Sequence, residues 1–283
     1  MEQADGRPMA TAFVPGHITG FFSAHPAPEP AVAGSRGAGI ALSDGVTVTV
    51  TPGSGTRLNG EAVDIAPVET VVDRLGVAAS VDAETPLPIG AGFGVSGAVA
   101  LGTALAANAA FDCGQTENEL VEVAHCAEVE AGTGLGDVVA QARGGLPIRL
   151  DPGGPRHGSL DGLPARPRIE YVTFGELSTE SVLSGDTDRI SEAGAAALDR
   201  LLAEPTVDRF LTASREFAAD AGLLTDDVRA AIEAVEAAGG RAAMAMLGRT
   251  VFATGTGLSD AGYEPTVCGT DAAGGRLVDT EER

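Results

Sequence analysis

The stretch Pro88–Leu101, PIGAGFGVSGAVAL, restricts the fold of this chain more than any other, because four glycines lead directly into an alanine-rich apolar run. Glycine adopts positive φ values and lets the backbone come close to a bulky ligand. A helix that follows such a loop directs unpaired N–H groups and a partial positive charge at whatever the loop holds. The sequence therefore predicts a phosphate-binding site built from main-chain amides at the start of a helix.

The charged residues restrict the classes of phosphate-binding protein to which this chain can belong. All 18 basic residues are arginine, and both P-loop NTPases and protein kinases need a lysine, so those two classes are excluded. Forty acidic residues give a formal net charge of −22, a field that repels nucleic acid and anionic membranes. We expect neither as a partner, and an anionic substrate must then be held by a helix N-terminus, a divalent cation or an arginine.

The cysteines and the N-terminus bear on location. Three isolated cysteines form no C-x-x-C pair, so the sequence indicates neither a zinc site nor a disulfide framework, and a reduced cytoplasmic compartment is expected. The N-terminus lacks the basic-then-apolar order of a signal peptide. Thr85–Phe111 is uncharged, but prolines and glycines break its first half, so we expect no membrane span. The acidity fits a halophilic cytoplasm, although an ordinary acidic surface explains it as well.

The order of patterns predicts an α+β chain. Strand-rich segments are followed by helix-rich ones in both halves, and the Pro- and Gly-rich Asp151–Arg168 indicates a boundary between domains at 1–155 and 156–283. At the N-terminus we expect a short strand at Thr11–Val14 and a turn-rich loop at 34–39. The dipeptides Asp44-Gly45 and Asn59-Gly60 each predict a hairpin.

Two acidic segments follow the glycine loop. Thr116 and Glu119 form a capping-box pattern that opens a helix over 117–131, which carries His125 and Glu128. A second glycine loop, GTGLG, then delivers Asp137 at the start of another helical segment. Phosphoryl transfer needs a cradle for the nucleotide, a carboxylate for the metal and a residue at the acceptor hydroxyl, and these three segments supply such parts in order.

These segments resemble the motifs of a known family. PIGAGFGVSGAVAL is similar to the central ATP-binding motif of the GHMP kinases, P-x-x-x-G-x-G-S-S-A-A, and FVPGHITGFF at 13–22 is similar to their first motif. AMAMLGRTVFATG at 243–255 takes the place of the third motif in degenerate form. The opening motif, GSRGAGI, AHCAEV and TGLGDVVAQ most resemble the archaeal branch that phosphorylates pantoate in coenzyme A synthesis. The resemblance covers residues 10–155 well and the remainder loosely.

The resemblance implies a fold and a set of roles. The expected architecture has an N-terminal mixed sheet with helices, a smaller C-terminal α+β domain and a nucleotide cleft between them. ATP and Mg²⁺ are the implied cofactors. Ser96 matches the serine at the phosphates and Mg²⁺, Glu128 the metal-binding glutamate with Glu130 as its rival, and Asp137 the aspartate at the acceptor hydroxyl. The implied nucleotide-binding positions are Pro88, Gly90, Gly92, Gly94, Val95, Ser96 and Gly97.

Each role has a structural alternative. Ser96 and Asp137 are each suited to cap the helix that follows, and Glu128 to be a solvated helical carboxylate. The usual Ser-Ser pair is Val95-Ser96 here, and the third motif has lost most of its glycines, which leaves the details of nucleotide contact open.

Four residues are candidates for binding the acceptor substrate. For two of them the alternative is a specific partner within the protein. Arg149 stays charged and must find an anion, either a substrate carboxylate or a protein partner, Asp151 or a nearby glutamate. His125 either bonds the substrate or pairs with Glu122. For the two candidates in glycine-rich segments, stabilisation of a turn is the alternative. The candidates are His17, Arg36, His125 and Arg149.

The resulting hypothesis is a kinase that transfers the γ-phosphate of ATP to the primary hydroxyl of (R)-pantoate, giving 4-phosphopantoate. Homoserine- and mevalonate-like acceptors remain alternatives, because each has a hydroxyl and an acidic end. Residues 92–97 also fit G-x-G-x-x-G, so an NAD(P)-dependent oxidoreductase is a weaker alternative, since prolines separate the loop from the preceding strand. A non-enzymatic sensor is a third. The expected partner is a small hydroxy acid, and a homodimer is a common assembly for such enzymes.

Overall fold

The computed structural model describes residues 8–176, 187–246 and 248–279. Within them the chain forms an eight-stranded sheet, a four-stranded sheet and helices packed on both. This is the α+β class that the sequence predicts. No helix in the described ranges is both long and apolar enough to cross a bilayer.

The larger sheet is built around two long antiparallel strands. Its main path runs in the order β12-β1-β2-β5-β3-β4, with β6 pairing to β2 and β7 to β6. Only the β3–β5 pair is parallel. The strands of this sheet are β1 (Ala10–His25), β2 (Gly34–Pro52), β3 (Thr56–Leu58), β4 (Glu61–Val63), β5 (Ala79–Glu84), β6 (Leu146–Asp151), β7 (Ser159–Leu163) and β12 (Arg276–Val278).

Three local predictions in this region were wrong. β1 does not end at Val14 but continues through Pro15 to His25, because a register shift between Pro15 and His17 absorbs the proline. Residues 34–39 are strand rather than loop, and Asp44-Gly45 continues β2 instead of reversing it, since Gly45 pairs with Pro15. Tertiary pairing thus overrides two local turn signals.

The second hairpin was confirmed. β3 and β4 pair antiparallel around Asn59 and Gly60, whose φ values of 53° and 83° are those of a tight hairpin turn.

Four helices follow in the first half, and the helix predicted over 117–131 has those bounds. α2 is nearly all buried, and a Cβ on Gly102 would lie 2.5 Å from Val48, so this glycine lets the helix lie directly on β2. Its first turn therefore has a fixed position at the glycine loop. The capping box of Thr116 and Glu119 is formed. The helices are α1 (Ala66–Leu75), α2 (Val95–Phe111), α3 (Glu117–Ala131) and α4 (Asp137–Arg143).

The smaller sheet has the order β11-β8-β10-β9 and is antiparallel throughout. One apolar core joins it to the larger sheet: Phe210 contacts Phe21 of β1 on one side and Phe252 on the other, each at 6.1 Å between ring centroids. The remaining elements are β8 (Ile169–Glu176), α5 (Thr187–Ala203), α6 (Val207–Asp220), α7 (Asp226–Ala237), β9 (Ala242–Ala245), β10 (Gly248–Thr254), α8 (Gly257–Asp260) and β11 (Thr266–Cys268).

The predicted domain boundary between residues 155 and 156 can be compared with where the strands of the two sheets lie in the sequence. β7 and β12 both pair within the larger sheet although they lie beyond residue 155 in the sequence. The smaller sheet begins at Ile169. The division into 1–155 and 156–283 stays a prediction.

Candidate active site

A cavity of about 650 Å³ lies where the glycine loop, α3, α4 and the start of β9–β10 meet. Its lining has an apolar part, which includes Leu58, Val63 and Ile89. It also has a polar part, in which the charges of Asp137 and Arg149 lie close enough to interact. Residues of the glycine loop line the same cavity.

Three hydrogen bonds from other elements hold the glycine loop, and the loop accepts each of them through a backbone carbonyl group. The backbone N–H of His17 donates to the carbonyl of Phe93, the side-chain amide of Gln141 to that of Gly94, and the hydroxyl of Thr250 to that of Ala91, each at 2.9 Å. Among the described residues, the amide N–H groups of residues 90–97 have no acceptor. Amide groups without an acceptor at the N-terminus of a buried helix are compatible with an anion-binding loop, and the assignment of residues 90–97 to a nucleotide stays a prediction.

The late motif supports this loop instead of forming a second loop of its own. A Cβ on Gly248 would lie 1.9 Å from the carbonyl oxygen of Ala91, and one on Gly92 would lie 2.7 Å from that of Met246. Backbone therefore packs directly on backbone, which leaves room only for a glycine at 248.

Ser96 and Glu128 face each other across the start of α2. The Ser96 hydroxyl donates to Oε1 of Glu128 at 2.5 Å. Burial raises the pKa of Glu128 to about 7, with the nearby charge of Asp137 adding to it and the Ser96 hydrogen bond opposing it. Ser96 does not cap α2, because the N-cap is Gly94 and no side chain bonds there. Glu130 points elsewhere and pairs with Arg74 at 2.5 Å.

These two side chains fit a magnesium ion. A hydroxyl and a carboxylate beside free amides are hard oxygen donors, and Mg²⁺ is usually held by one or two protein oxygens together with phosphates and water. No group of three or more His, Cys, Asp or Glu able to enclose a metal occurs in the described part of the chain. The donor set therefore suits a metal that arrives with a nucleotide.

Asp137 is the first residue of α4, with Gly136 as its N-cap. Its Oδ1 accepts hydrogen bonds from Nδ1 of His17 at 2.7 Å and from the Thr19 hydroxyl at 3.4 Å. Burial favours the neutral acid, but the His17 hydrogen bond and the charge of Arg149 hold the pKa of Asp137 below its ordinary value. The carboxylate is 22% exposed and lines the cavity.

Arg149, on β6, is a buried cation without a carboxylate partner. It is 2% exposed, its Nε donates to the Ser35 hydroxyl at 3.2 Å, and its Nη1 has no hydrogen-bond partner. The ion pair with Asp151 does not form, because Asp151 is exposed and bonds the Ser159 hydroxyl. Gly136 makes room for the guanidinium, since a Cβ there would lie 2.7 Å from Nε.

The other three substrate-side candidates lie behind the cavity wall. His17 is fully buried beneath Asp137. His125 is 1% exposed and its Nε2 is 2.9 Å from the Ala33 carbonyl, and the Arg36 Nε donates to the Leu150 carbonyl at 2.7 Å. Of the four, Arg149 alone lines the cavity described above.

Sequence reasoning overlooked two polar residues of the site. Thr19 lies two positions after His17, and Gln141 lies one helical turn after Asp137, on the same face of α4. Ser35 lies beside the candidate Arg36, in a glycine-rich segment that resembles a substrate-side loop of the family, but the resemblance assigned it no partner. The spacing of Gln141 from Asp137 was a usable signal, whereas the roles of Thr19 and Ser35 depend on pairing between distant strands.

Comparison with known proteins identifies the family. The family model for the N-terminal domain of GHMP kinases matches residues 65–145. The pantoate kinase of Thermococcus kodakarensis is 39% identical over 261 residues, which cover 86% of each chain. The pantoate kinase of Methanocaldococcus jannaschii is 35% identical over 248 residues, covering 85% of this chain and 90% of that one. This chain belongs to the GHMP kinase family, in its pantoate kinase branch.

Solved structures of GHMP kinase relatives agree with this. A phosphotransferase related to the coenzyme A biosynthesis pathway superposes with a TM-score of 0.86 at 31% identity, covering 96% of this chain and 99% of that one. Mevalonate diphosphate decarboxylase from Staphylococcus aureus has a TM-score of 0.73 at 16% identity, covering 96% and 98%, and shares the fold. The predicted class, a phosphotransferase acting on an alcohol group, is confirmed.

Proposed function

We propose that this GHMP kinase transfers the γ-phosphate of ATP to the primary hydroxyl of (R)-pantoate, giving ADP and 4-phosphopantoate. The observation that carries the proposal is the polar end of the cavity, where the unpaired guanidinium of Arg149 and the carboxylate of Asp137 lie beside a cradle of free amides. Pantoate carries a carboxylate for the arginine and a hydroxyl for the aspartate.

The nucleotide fits the rest of the cavity. The free amides of residues 90–97 match the phosphates of ATP, and the apolar end with Leu58, Val63, Ile65 and Ile89 matches a flat, weakly polar base. Ser96 and Glu128 would hold Mg²⁺, which when bound neutralises charge on the phosphates during transfer.

The acceptor end favours pantoate over homoserine. Arg149 suits a carboxylate, while Phe22, Leu135 and Met246 offer an apolar wall for the two methyl groups of pantoate. Homoserine would bring an ammonium group toward the same buried cation, and like charges at that distance repel. His125 and Arg36 bond the backbone carbonyls of Ala33 and Leu150 and do not line the cavity, so this proposal gives them no contact with the acceptor.

The chain's own residues then carry the transfer. Asp137 accepts a hydrogen bond from the primary hydroxyl and aims its oxygen at the γ-phosphorus. The new O–P bond forms as the bond from the γ-phosphorus to the β,γ-bridging oxygen breaks. ADP leaves with that electron pair, and the hydroxyl proton passes to Asp137. The amide cradle stabilises the charge that develops on the phosphates.

Several broader features belong to the same proposal. We place the enzyme in the cytoplasm, where ATP and Mg²⁺ are abundant, and in a halophilic source, which the net charge of −22 with no lysine suits. A homodimer and a two-domain organisation are proposed by analogy with small-molecule kinases, and nucleic acid is not expected as a partner.

The test is an ADP-release assay in high KCl with ATP and Mg²⁺ across pantoate, homoserine and mevalonate. We expect turnover with pantoate and at least about 100-fold lower kcat/KM with the other two, since a mismatched charge in a buried site costs several kcal/mol. Asp137→Asn is the matched variant: it should retain ATP binding and lose turnover. Equal use of homoserine and pantoate would refute the proposed acceptor.

A further inference from the structure

His17 lies two positions in the sequence from a residue of the cavity wall, and its environment is unusual for a histidine. It is fully buried, and its two ring nitrogens have different surroundings. Nδ1 lies 2.7 Å from Oδ1 of Asp137. Nε2 is buried without a hydrogen-bond partner, and a Cβ on Gly39 would lie 2.2 Å from it. The ring therefore lies between Asp137 and the backbone of β2, and it does not line the cavity.

This placement fixes the protonation state. Asp137 is ionised and has only acceptors to offer, so Nδ1 of His17 must carry the proton and donate. A second proton on Nε2 would bury an N–H group with no acceptor, which is costly. Burial lowers the pKa of His17 accordingly, despite the opposing effect of the Asp137 carboxylate. The imidazole is neutral, with its Nε2 lone pair against β2.

The two oxygens of Asp137 are thereby differentiated. Oδ1 accepts from His17 and, more weakly, from Thr19. Oδ2 has no partner among the described residues. We propose that His17 is a positioning residue: a neutral, Nδ1-protonated imidazole that holds Oδ1 of Asp137 and leaves Oδ2 for the acceptor hydroxyl. This inference rests on the proposed role of Asp137 in phosphoryl transfer.

The consequence concerns how Asp137 acts. A carboxylate that already accepts a short hydrogen bond is a weak base, because the ionised form is the stabilised one. Asp137 then mainly orients the hydroxyl and takes up its proton only as the O–P bond forms. The other charged groups near this pair are Arg149, which also favours the ionised form, and Glu128, whose charge opposes it.

The first test needs no substitution. Nitrogen-15 spectra of the imidazoles in the intact chain, with the His17 signal assigned by its loss in His17→Asn, report the tautomer directly. We expect Nδ1 protonated and Nε2 unprotonated at pH 7, with a titration midpoint below that of a free histidine. A ring protonated on Nε2 at pH 7, or one that titrates at or above the pKa of a free histidine, would overturn the proposal. This result does not depend on which acceptor the enzyme uses.

The second test compares two variants. His17→Asn keeps an N–H donor near the position of Nδ1, whereas His17→Leu keeps bulk without a donor. We expect His17→Leu to lower kcat about tenfold or more with the KM for ATP within about twofold of wild type, as for loss of an interaction made in the transition state. Its acid limb of kcat should shift to higher pH, because burial of Asp137 is then unopposed by His17.

His17→Asn should restore both the rate and the pH profile to near wild type. A folded His17→Leu with reduced kcat but an unchanged acid limb would show a packing role only, and would also overturn the proposal. If the proposed function itself fails, wild type shows no pantoate-dependent ADP release, and the nitrogen-15 result still decides the state of His17.

Discussion

At the scale of single residues, the site contains two carboxylates, and neighbouring groups compensate for the burial of each to a different degree. Burial of Glu128 outweighs the hydrogen bonds that it accepts, so its pKa is raised to about 7. Asp137 is partly exposed, and the His17 hydrogen bond and the charge of Arg149 outweigh its burial, so its pKa is lowered. Two carboxylates a short distance apart are thus suited to different tasks: the one to exchange its proton for a metal, the other to stay ionised at the acceptor hydroxyl.

The raised pKa of Glu128 predicts that the free energy of unfolding of the ligand-free protein depends on pH. The folded state holds the proton up to about pH 7 and the unfolded chain releases it near 4.5, so the free energy of unfolding falls as pH rises through that window. Glu128→Gln removes this slope and should be more stable than wild type above pH 7 by up to about 3 kcal/mol, the equivalent of the shift. Urea unfolding at pH 5 and pH 8 measures it.

The control for Glu128 is Glu130→Gln, since Glu130 is 41% exposed and pairs with Arg74. That variant should follow the wild-type slope. With Mg²⁺ and ATP present the order should reverse, because wild type gains binding energy that Glu128→Gln cannot. A Glu128→Gln variant with the wild-type pH slope would contradict the prediction.

Arg149 gives a second prediction at this scale. Arg149→Lys keeps a positive charge but loses the planar fork that binds a carboxylate in two places. We expect the KM for pantoate to rise by about 10- to 100-fold, as a charge-assisted bidentate contact is lost, while the KM for ATP changes little. Steady-state kinetics with each substrate varied separately measures this. Arg143→Lys, on the last turn of α4, is the matched control. If the KM for ATP changes more than the KM for pantoate, Arg149 contacts the nucleotide and not the acceptor, and the prediction is wrong.

At the scale of elements, the glycine loop and the segment leading into β10 act as one unit. Ala91 and Gly92 lie against Met246 and Gly248, and Thr250 bonds the Ala91 carbonyl. The loop is thus shaped by packing from the second sheet, and several of its residues line the cavity.

Gly92→Ala tests this unit. Gly92 has φ of 89°, and an added Cβ would lie 2.7 Å from the Met246 carbonyl. Gly76→Ala is the matched control, since φ is 67° there but nothing lies within 4 Å. We expect Gly76→Ala to cost about 1 kcal/mol of stability from the backbone strain alone, and Gly92→Ala about 2–4 kcal/mol with weaker ATP binding. Thermal unfolding with and without ATP–Mg²⁺ measures both. Equal losses in the two variants would mean that the contact with Met246 carries no strain.

At the scale of the whole molecule, the net charge of −22 is the dominant feature. Self-repulsion destabilises the compact state at low ionic strength, and salt screens it. The Debye length falls from about 10 Å at 0.1 M to about 3 Å at 1 M, so most of the repulsion between surface carboxylates is lost over that range.

We therefore expect the midpoint of thermal unfolding to rise as KCl is increased from about 0.1 to 1 M, with most of the gain over the range where the Debye length shortens. Sucrose is the control, because it favours the compact state without screening charge. The effect of KCl should also shrink as the pH approaches the isoelectric point of about 4.4. A midpoint insensitive to KCl would contradict the proposed halophilic adaptation.

The sequence alone was enough to predict helix α3 and a glycine loop that leads into a helix. The bounds of α3 follow from its capping box, and the hairpin at Asn59 follows from two residues that tolerate positive φ. The family was also legible, because its motifs are short and contiguous. Local chemistry is sufficient wherever a residue interacts with its own neighbours in the chain.

Which polar groups meet depends on contacts between distant parts of the chain. His17 and Asp137 are 120 positions apart, and Arg149 and Ser35 are 114 apart. Strand pairing and helix packing bring them together, and burial then sets their charge states. The same pairing extended β1 through Pro15 and made Asp44-Gly45 part of a strand. The physical reason is that hydrogen bonding along a long two-stranded ladder, together with the burial behind it, outweighs the preference of a single turn.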